Sequence, residues 1–294
     1  MYQAVRDWGE RLLWRQGWWI ANPTVGSHIH RIRRYSLPEA IAELTGSDGR
    51  HFLVPTEKVL TPYGFGFAER SWHPYVACLR EQEESGVPDY HRSVLREFHQ
   101  RFAPESLQDV IRLARGDAWS SSHDPLPHSW PLLRDLWLLD EYSAQRYLSE
   151  AVALPPERRS PHAGPFTVEA GRSTFARLLT VAESIREHGY NPARFDRART
   201  MGFDGYGADG YFLWDGGDFR FVLLHGHHRV AAAAFLGVET LQVSVRRRYV
   251  PVVSRGALES DSVASWLDPE ERLEMFGAIF GGDGQSKART LGLA

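Results

Sequence analysis

The segment Phe221–Gly237 reads FVLLHGHHRVAAAAFLG and decides the fold of the second half of the chain. Its first four apolar residues predict a buried strand, and the alanine-rich stretch predicts a short helix. Gly226, between them, permits a sharp turn. The sequence therefore predicts a strand-to-helix turn at Gly226, where the first backbone N–H groups of the helix have no partner within it.

This turn has the composition of a phosphate-binding site. The free N–H groups and the helix dipole attract anions, and a glycine allows an anion to approach the backbone closely. Arg229 offers a planar guanidinium to phosphate oxygens, while His227 and His228 can donate hydrogen bonds or carry a proton. Two other interpretations stay open: a zinc site that includes His225, and a polar junction without a ligand.

The elements around this segment predict an α+β fold. They are a helix at Ser173–His188, strands at Tyr211–Trp214 and Phe219–Leu224 joined by a turn at Asp215–Asp218, a helix at His228–Leu236, a strand at Leu241–Arg247 and a helix at Pro269–Phe280. Glu169 falls in a loop before the first of these helices. We expect a C-terminal extension at 251–294 with one helix and, after Gly281, a flexible tail.

Residues 1–160 predict a mixed, mainly helical and irregular region of unknown role. Helices are expected at Leu37–Leu44, Pro74–Glu84, Tyr90–Phe102, Leu107–Arg115 and Leu132–Ala151. A linker at Leu154–Pro161, rich in proline and charge, separates this region from a domain predicted at 161–250. An aromatic group in the first region favours core packing, with stacking on a base or sugar as the alternative. Its members are Tyr63, Phe65, Phe67 and Trp72.

Three motifs resemble the ParB/sulfiredoxin superfamily, in order along the chain. Glu183–Gly189 reads ESIREHG, which looks like the helix end of ParB-type domains, and Gly217–Phe221 resembles a sulfiredoxin hairpin strand. GHHRVAA at 226–232, followed by Leu236 and Gly237, resembles the G-x-H-R-x-x-A-A…L-G box of the superfamily. The resemblance covers roughly Gly164–Tyr249 and implies a ParB/sulfiredoxin-like, nucleotide-binding domain.

Departures from the superfamily pattern narrow the choice of activity. Sulfiredoxins carry a cysteine where this chain has His227, and its single cysteine, Cys78, lies in the other half. ParB clamps usually have the sequence G-E-R-R in the box, followed by a helix-turn-helix domain. We expect no such domain here, because too little chain follows Arg248. The G-H-H-R form is closest to free-serine kinases, although His225 stands where their box has aspartate.

The resemblance implies a nucleotide-dependent phosphotransferase that uses ATP or CTP with Mg²⁺ on a small hydroxyl-bearing metabolite. Phosphates would be bound by Gly226, His227, His228 and Arg229. The metal would be placed by Glu183 or Asp215, and the catalytic residues would be Glu169, Glu183 and His228. Glu169 would be the base that activates the acceptor hydroxyl. The alternatives are a non-enzymatic nucleotide-binding regulatory or interaction protein and a ParB-like DNA-binding protein or nuclease.

Composition excludes several other classes. The net charge of −3 gives no bulk attraction to nucleic acid, and the one basic run, Arg246–Arg248, favours a solvated strand edge. One cysteine excludes an internal disulfide and a cysteine zinc site, and we expect Cys78 to be a small buried hydrophobe in a cytoplasmic protein. No apolar run reaches the roughly 18 residues of a membrane span, and none matches a signal peptide. The oligomeric state stays open.

Overall fold

The computed structural model of this chain describes residues 18–20, 32–34, 39–46, 51–102, 166–190, 208–245, 252–259, 269–282 and 284–294. Four sequence predictions lie outside these residues. They are the helices at Leu107–Arg115 and Leu132–Ala151, the linker at Leu154–Pro161 and the basic run Arg246–Arg248.

A mixed sheet of six strands forms the centre of the fold. In chain order the strands are β1 (Trp18–Ile20), β2 (Ile32–Arg34), β3 (His51–Pro55), β4 (Val59–Leu60), β5 (Ala208–Asp215), β6 (Asp218–His225), β7 (Thr240–Val245) and β8 (Val252–Ser254). β1 and β2 form a separate antiparallel pair. The large sheet has the order β3-β7-β5-β6-β4, and β8 also pairs with β5. β5 and β6 form an antiparallel hairpin, whereas β7 and β8 run parallel to β5.

Helices complete an α+β fold, as predicted. They are α1 (Glu39–Thr45), α2 (Pro74–Ser85), α3 (Val94–Arg101), α4 (Val168–His188), α5 (His227–Phe235), α6 (Arg255–Leu258), α7 (Pro269–Gly281) and α8 (Gly284–Thr290), with short 3₁₀ turns at Thr56–Lys58 and Tyr90–Arg92. The predicted order of helix, hairpin, helix and strand in the second half is confirmed. α4 begins earlier than predicted because the Thr167 side chain caps it by accepting from the Ala170 N–H at 3.2 Å.

Alternate residues of the central hairpin face two different cores, as the two-residue period of a strand requires. Phe212 and Phe221 lie in a core with residues of α2, α4 and α5. Tyr211 and Val222 lie in a second core with residues of α3 and α7. The sheet is thus covered on both faces, which is why β5 and β6 consist of nearly continuous buried residues.

The aromatic group of the N-terminal region lies inside these cores. Tyr63, Phe65, Phe67 and Trp72 are all buried, and the Phe65 ring packs edge-on against Phe98 with centroids 5.5 Å apart. The core-packing interpretation of these residues is therefore confirmed.

Strands from both sides of residue 160 share the large sheet. β3 pairs with β7 over five residues, and β4 pairs with β6. Neither β3 nor β4 was predicted from the sequence, and the described parts of the two predicted regions pack on one another. Because residues 103–165 are not described, the limits 1–160 and 161–250 remain predictions.

The last segment forms more structure than the single helix and flexible tail that we expected. α8 follows α7 closely, and the Lys287 side chain in α8 is buried, with its Nζ donating to the Tyr63 carbonyl at 2.8 Å. Arg101 in α3 donates to the Leu291 and Gly292 carbonyls. These contacts hold residues 284–294 against the N-terminal region.

None of the helices in the described ranges combines the length and the apolar composition that crossing a bilayer requires.

Candidate functional site

The Gly226 turn has the geometry that its sequence predicts. β6 ends at His225, Gly226 adopts the left-handed conformation with φ 92° and ψ 13°, and α5 begins at His227. The N–H groups of Arg229 and Val230 both donate to the Gly226 carbonyl, at 2.9 and 3.0 Å. The first two residues of α5 come before these hydrogen-bonded positions in the helix. The N-cap residue, a glycine, has no side chain that could cap their N–H groups. The start of a helix with this geometry is the kind of terminus at which anions bind in other proteins.

His227 contributes its backbone to this turn, because its side chain points into the core. The ring is 2 % exposed and lies 6.3 Å from the Phe67 ring, on whose face His73 stacks at 4.1 Å. Burial, with smaller contributions from His225 and His228, lowers the pKa of His227 to about 3. The imidazole is buried and neutral at pH 7. If His227 contacts phosphate as predicted, the contact would therefore be made by its backbone N–H group.

His228, the second residue of α5, has one ring nitrogen with a hydrogen bond and one without. Its ring is half-buried, 4.8 Å from the Tyr75 ring, and it forms a hydrogen bond with the Thr174 backbone of α4. The Nε2 atom is buried and has no hydrogen-bond partner among the described residues. Burial and, next, the charge of Arg177 lower the pKa of His228 to about 4. His228 therefore combines a fixed ring with an unsatisfied polar atom.

Two arginines make the surroundings of His228 positive. Arg229 is half-buried, and its charge acts on both His228 and Tyr190. Arg177, on the exposed side of α4, lowers the pKa of His228 and opposes the rise in the pKa of Tyr75. No ion pair or hydrogen bond of Arg177 exists within the described ranges. Arg177 could not be predicted from the sequence, since nothing in the helix pattern distinguishes it from a solvated residue.

Asp215, a predicted metal ligand, lies at the wrong end of the hairpin. In the register of β5 and β6, Asp215 pairs with Asp218 beside the hairpin turn, whereas His225 pairs with Asp209 at the other end. Seven residues of strand separate the two ends, a distance of about 23 Å. Asp215 instead forms an ion pair with Arg255 at 3.3 Å. An antiparallel hairpin cannot bring its own turn beside the Gly226 turn, so Asp215 is excluded from this site.

Glu169 and Glu183 are both exposed on α4 and do not join the turn. Glu169 lies in the first helical turn rather than in the predicted loop. The buried residues of α4 define a packing face, and at 100° per residue Glu169 and Glu183 lie about 160° and 120° from its centre. In the described ranges no group of three or more His, Cys, Asp or Glu side chains is arranged to hold a metal ion. Their catalytic and metal roles remain predictions without geometric support.

The carboxylate nearest to the turn in the sheet register is Asp209, which was not predicted from the sequence. Asp209 is 1 % exposed and pairs with His225 across the strands. A register shift follows it, where a Cβ on Gly210 would lie 1.9 Å from the Val222 carbonyl oxygen. Only glycine permits this close approach. Counting residues back from the hairpin turn locates the partner of His225 only to within one residue, because the register shift changes that partner by one position.

Histidines of the N-terminal region also reach this cluster, and none was predicted. His73 caps α2 by accepting from the Tyr75 N–H at 3.1 Å, and burial, with His227 and His228, holds its pKa well below 6.5. His99 in α3 is 1 % exposed, and burial lowers its pKa to about 3. The sequence lacked a signal for them because they lie more than a hundred residues from the box.

Cys78 is a buried core residue, as expected. It is fully buried in α2, and burial, reinforced by Glu81, raises the pKa of its thiol to about 12. A protonated thiol in such a setting behaves as a small apolar group. The prediction that Cys78 is a buried hydrophobe is confirmed.

No protein-family model, no curated protein and no solved structure matches the chain. The resemblance to the ParB/sulfiredoxin superfamily therefore remains a hypothesis based on the three motifs alone.

Proposed function

We propose that the protein binds a nucleoside triphosphate, ATP or CTP, at the start of α5 and transfers its γ-phosphoryl group to a small hydroxyl-bearing metabolite. The observation that carries this proposal is the left-handed Gly226 at a strand-to-helix turn, with Arg177, His228 and Arg229 around it. The first N–H groups of α5 bind phosphate oxygens, and Arg229 adds a charge-assisted contact. A nucleotide substrate implies a cytoplasmic location.

Magnesium fits this site only as an ion held largely by the phosphates. Mg²⁺ commonly binds through one or two carboxylates together with substrate phosphates and water. Asp209 is the carboxylate that the sheet register places at this end of β5, so it is our candidate ligand in place of Asp215 and Glu183. Bound Mg²⁺ would neutralise charge that develops on the phosphates.

A second candidate function is nucleotide binding without turnover. It is favoured by the positions of Glu169, Glu183 and Asp215, none of which the described structure brings to the turn as a general base or metal ligand. In that case the nucleotide would strengthen the contact between the N-terminal region and α5, because the Tyr75 ring packs against His228 and His73 stacks on Phe67, beside His227. Regulation, rather than catalysis, would then be the role of the site.

A phosphate-transfer screen tests the two candidates together. Mg-ATP and Mg-CTP are each incubated with pools of amino acids and of sugars, and nucleoside diphosphate is measured. Release that depends on one pool supports the phosphotransferase. Binding of nucleotide in calorimetry without release supports the regulatory protein, and the absence of both binding and release contradicts both candidates.

A further inference from the structure

The N-terminus of α2 is capped by a histidine ring. His73 is the N-cap residue, in an extended conformation with φ −138° and ψ 132°, and its Nδ1 atom accepts from the Tyr75 N–H at 3.1 Å. The usual capping residues, Ser, Thr, Asp and Asn, accept with a side-chain oxygen. A neutral imidazole has one acceptor nitrogen, whereas both nitrogens of an imidazolium are donors. His73 can therefore cap α2 only while its ring is neutral.

The surroundings of His73 hold its ring in place and keep it neutral. The residue is 4 % exposed, and its ring stacks on Phe67 with centroids 4.1 Å apart. Burial, with smaller contributions from His227 and His228 of α5, keeps the pKa of His73 well below 6.5. The positive end of the α2 dipole also disfavours a cation at the N-cap. At pH 7 the cap is therefore intact.

The capped end of α2 packs on the start of α5. Tyr75, whose N–H group the His73 ring accepts, lies against the His228 ring with centroids 4.8 Å apart. Phe67, on which His73 stacks, lies 6.3 Å from the His227 ring. His227 and His228 are the first two residues of α5. The cap thus stands in the contact between the N-terminal region and the Gly226 turn.

The permanent charges that act on this contact among the described residues are positive. Arg177 of α4 acts on both Tyr75 and His228, and Arg229 of α5 acts on His228. Burial raises the pKa of Tyr75, so its phenol is neutral at pH 7. A proton on His73 would therefore gain no compensating negative charge from these groups. Because the folded-state pKa of His73 is lowered, its contribution to stability is complete above pH 6.5 and is lost as pH falls below that value.

We propose that His73 is a proton-sensitive cap, whose protonation uncaps α2 and opens the contact of Tyr75 with His228 beside the Gly226 turn. A proton from solvent takes the Nδ1 lone pair that accepts from the Tyr75 N–H, so the hydrogen bond is lost. Opening gives His73 the pKa of an exposed histidine, about 6.5, so between pH 7 and pH 5.5 the open fraction rises about eightfold through His73 alone. The consequence for nucleotide, which is bound less tightly in the open form, rests on the proposed function.

Hydrogen exchange without nucleotide tests this cap. The exchange rates of the amides at 75–79, divided by the intrinsic rates at each pH, give the open fraction of the first turns of α2. In the wild type we expect this fraction to rise at least about eightfold between pH 7 and pH 5.5. His73→Asn keeps a capping side chain that does not titrate, so its rise should be smaller by about that factor. His73→Ala removes the cap, and its open fraction should exceed that of the wild type already at pH 7.

His188→Asn is the matched control, since His188 is exposed at the end of α4, and it should exchange as the wild type does at both pH values. If His73→Asn does not fold, His73→Asp replaces it, because aspartate also caps helices and titrates near 3.9, below this window. The proposal is overturned if the variant shows the same rise as the wild type. It is also overturned if the amides of β6 accelerate by the same factor as those of α2, because the opening would then be global.

Calorimetry with Mg-ATP at the two pH values tests the consequence for nucleotide. The affinity of the wild type should fall more between pH 7 and pH 5.5 than that of His73→Asn. An equal fall in both proteins would show that the cap does not control the Gly226 turn. Failure of the wild type to bind nucleotide at pH 7 would count against the proposed function, while the exchange result would still decide whether His73 is a proton-sensitive cap.

Discussion

The two ends of the β5–β6 hairpin both carry polar side chains but arrange them in opposite ways. At the hairpin turn, Asp218 accepts from Lys58 and Arg220, each at 2.7 Å, and Asp215 pairs with Arg255. At the Gly226 end, His228 keeps a buried nitrogen unsatisfied and Arg177 has no ion pair in the described structure. At the hairpin turn the charged groups pair with one another, whereas at the Gly226 end these two groups have no partner among the described residues.

This difference separates a structural cluster from a candidate binding site. A closed network of ion pairs has no capacity left for a ligand, and its exposed members contribute little to stability. Unsatisfied buried groups cost free energy in the empty protein, and a ligand that satisfies them recovers that free energy on binding. The carboxylates that we predicted from sequence as metal ligands include one at the closed end, so proximity in sequence to the box was misleading.

The largest expected effect is the loss of stability of the Gly226 end in mild acid. His99, His227 and His228 have folded-state pKa values of about 3, 3 and 4, against 6.5 in the unfolded chain, and that of His73 is also lowered. The unfolded chain therefore binds more protons below pH 6.5, and stability falls as pH decreases from there towards 4. At pH 5 each such histidine costs about 2 kcal/mol.

Urea unfolding at pH 7 and pH 5 measures this loss. Asp218→Asn is the control from the hairpin end, because the pKa of Asp218 lies below 3.8 and its titration falls outside this window. The variant should lose as much stability between the two pH values as the wild type. Equal stability of the wild type at pH 7 and pH 5 would contradict the buried, neutral state of the histidines.

The next effect concerns nucleotide affinity at the two ends. Arg229→Ala should weaken binding of Mg-ATP by about 1.5–3 kcal/mol, the range for a charge-assisted hydrogen bond. Arg177→Ala should cost less, about 0.5–1 kcal/mol, because its guanidinium is exposed and screened. Arg255→Ala, at the hairpin end, should leave the affinity unchanged. Calorimetry checks all three, and an effect of Arg255 equal to that of Arg229 would remove the distinction between the ends.

A smaller effect, on the free energy of unfolding, is expected from a substitution of Cys78 in the hydrophobic core. Cys78→Ser buries a hydroxyl in an apolar setting and should lower the free energy of unfolding by about 1–2 kcal/mol. Nucleotide turnover should not change, since the thiol is buried and its pKa is raised to about 12. Alkylating agents should react slowly with the native protein and quickly with the unfolded chain. Fast alkylation of the native protein together with loss of turnover would instead assign Cys78 to the site.

The smallest effect is expected from Asp218→Asn itself at pH 7. The pKa of Asp218 would be raised by burial, but hydrogen bonds from Lys58 and Arg220 outweigh burial and lower it. Its stabilising contribution is therefore present at neutral pH and is lost as pH falls below 3.8. Because the carboxylate is partly exposed, we expect a loss of about 0.5–1 kcal/mol at pH 7, measured by urea unfolding. A loss above that of Cys78→Ser would show that the hairpin end is not a peripheral cluster.

Much of the structure of the second half of the chain could be predicted from local sequence patterns. The Gly226 turn, the hairpin around Gly216 and the helix before it were predictable because each depends on nearby residues: a glycine at positive φ, a two-residue turn, a 3.6-residue repeat. The N-terminal strands β3 and β4 were missed, since their pairing partners lie more than 150 residues away. Strand propensity alone is weak for segments of two to five residues.

The sequence by itself determined where the strand-to-helix turn at Gly226 forms, because backbone conformation at Gly226 and the helix start after it are local properties. Only the tertiary structure decided which side chains surround that turn. It turned the His227 ring into the core, placed Asp215 about 23 Å away along the hairpin, and brought His99 and Asp209 towards it. Those choices depend on strand register and helix packing between distant segments, and no local pattern in the chain encodes them.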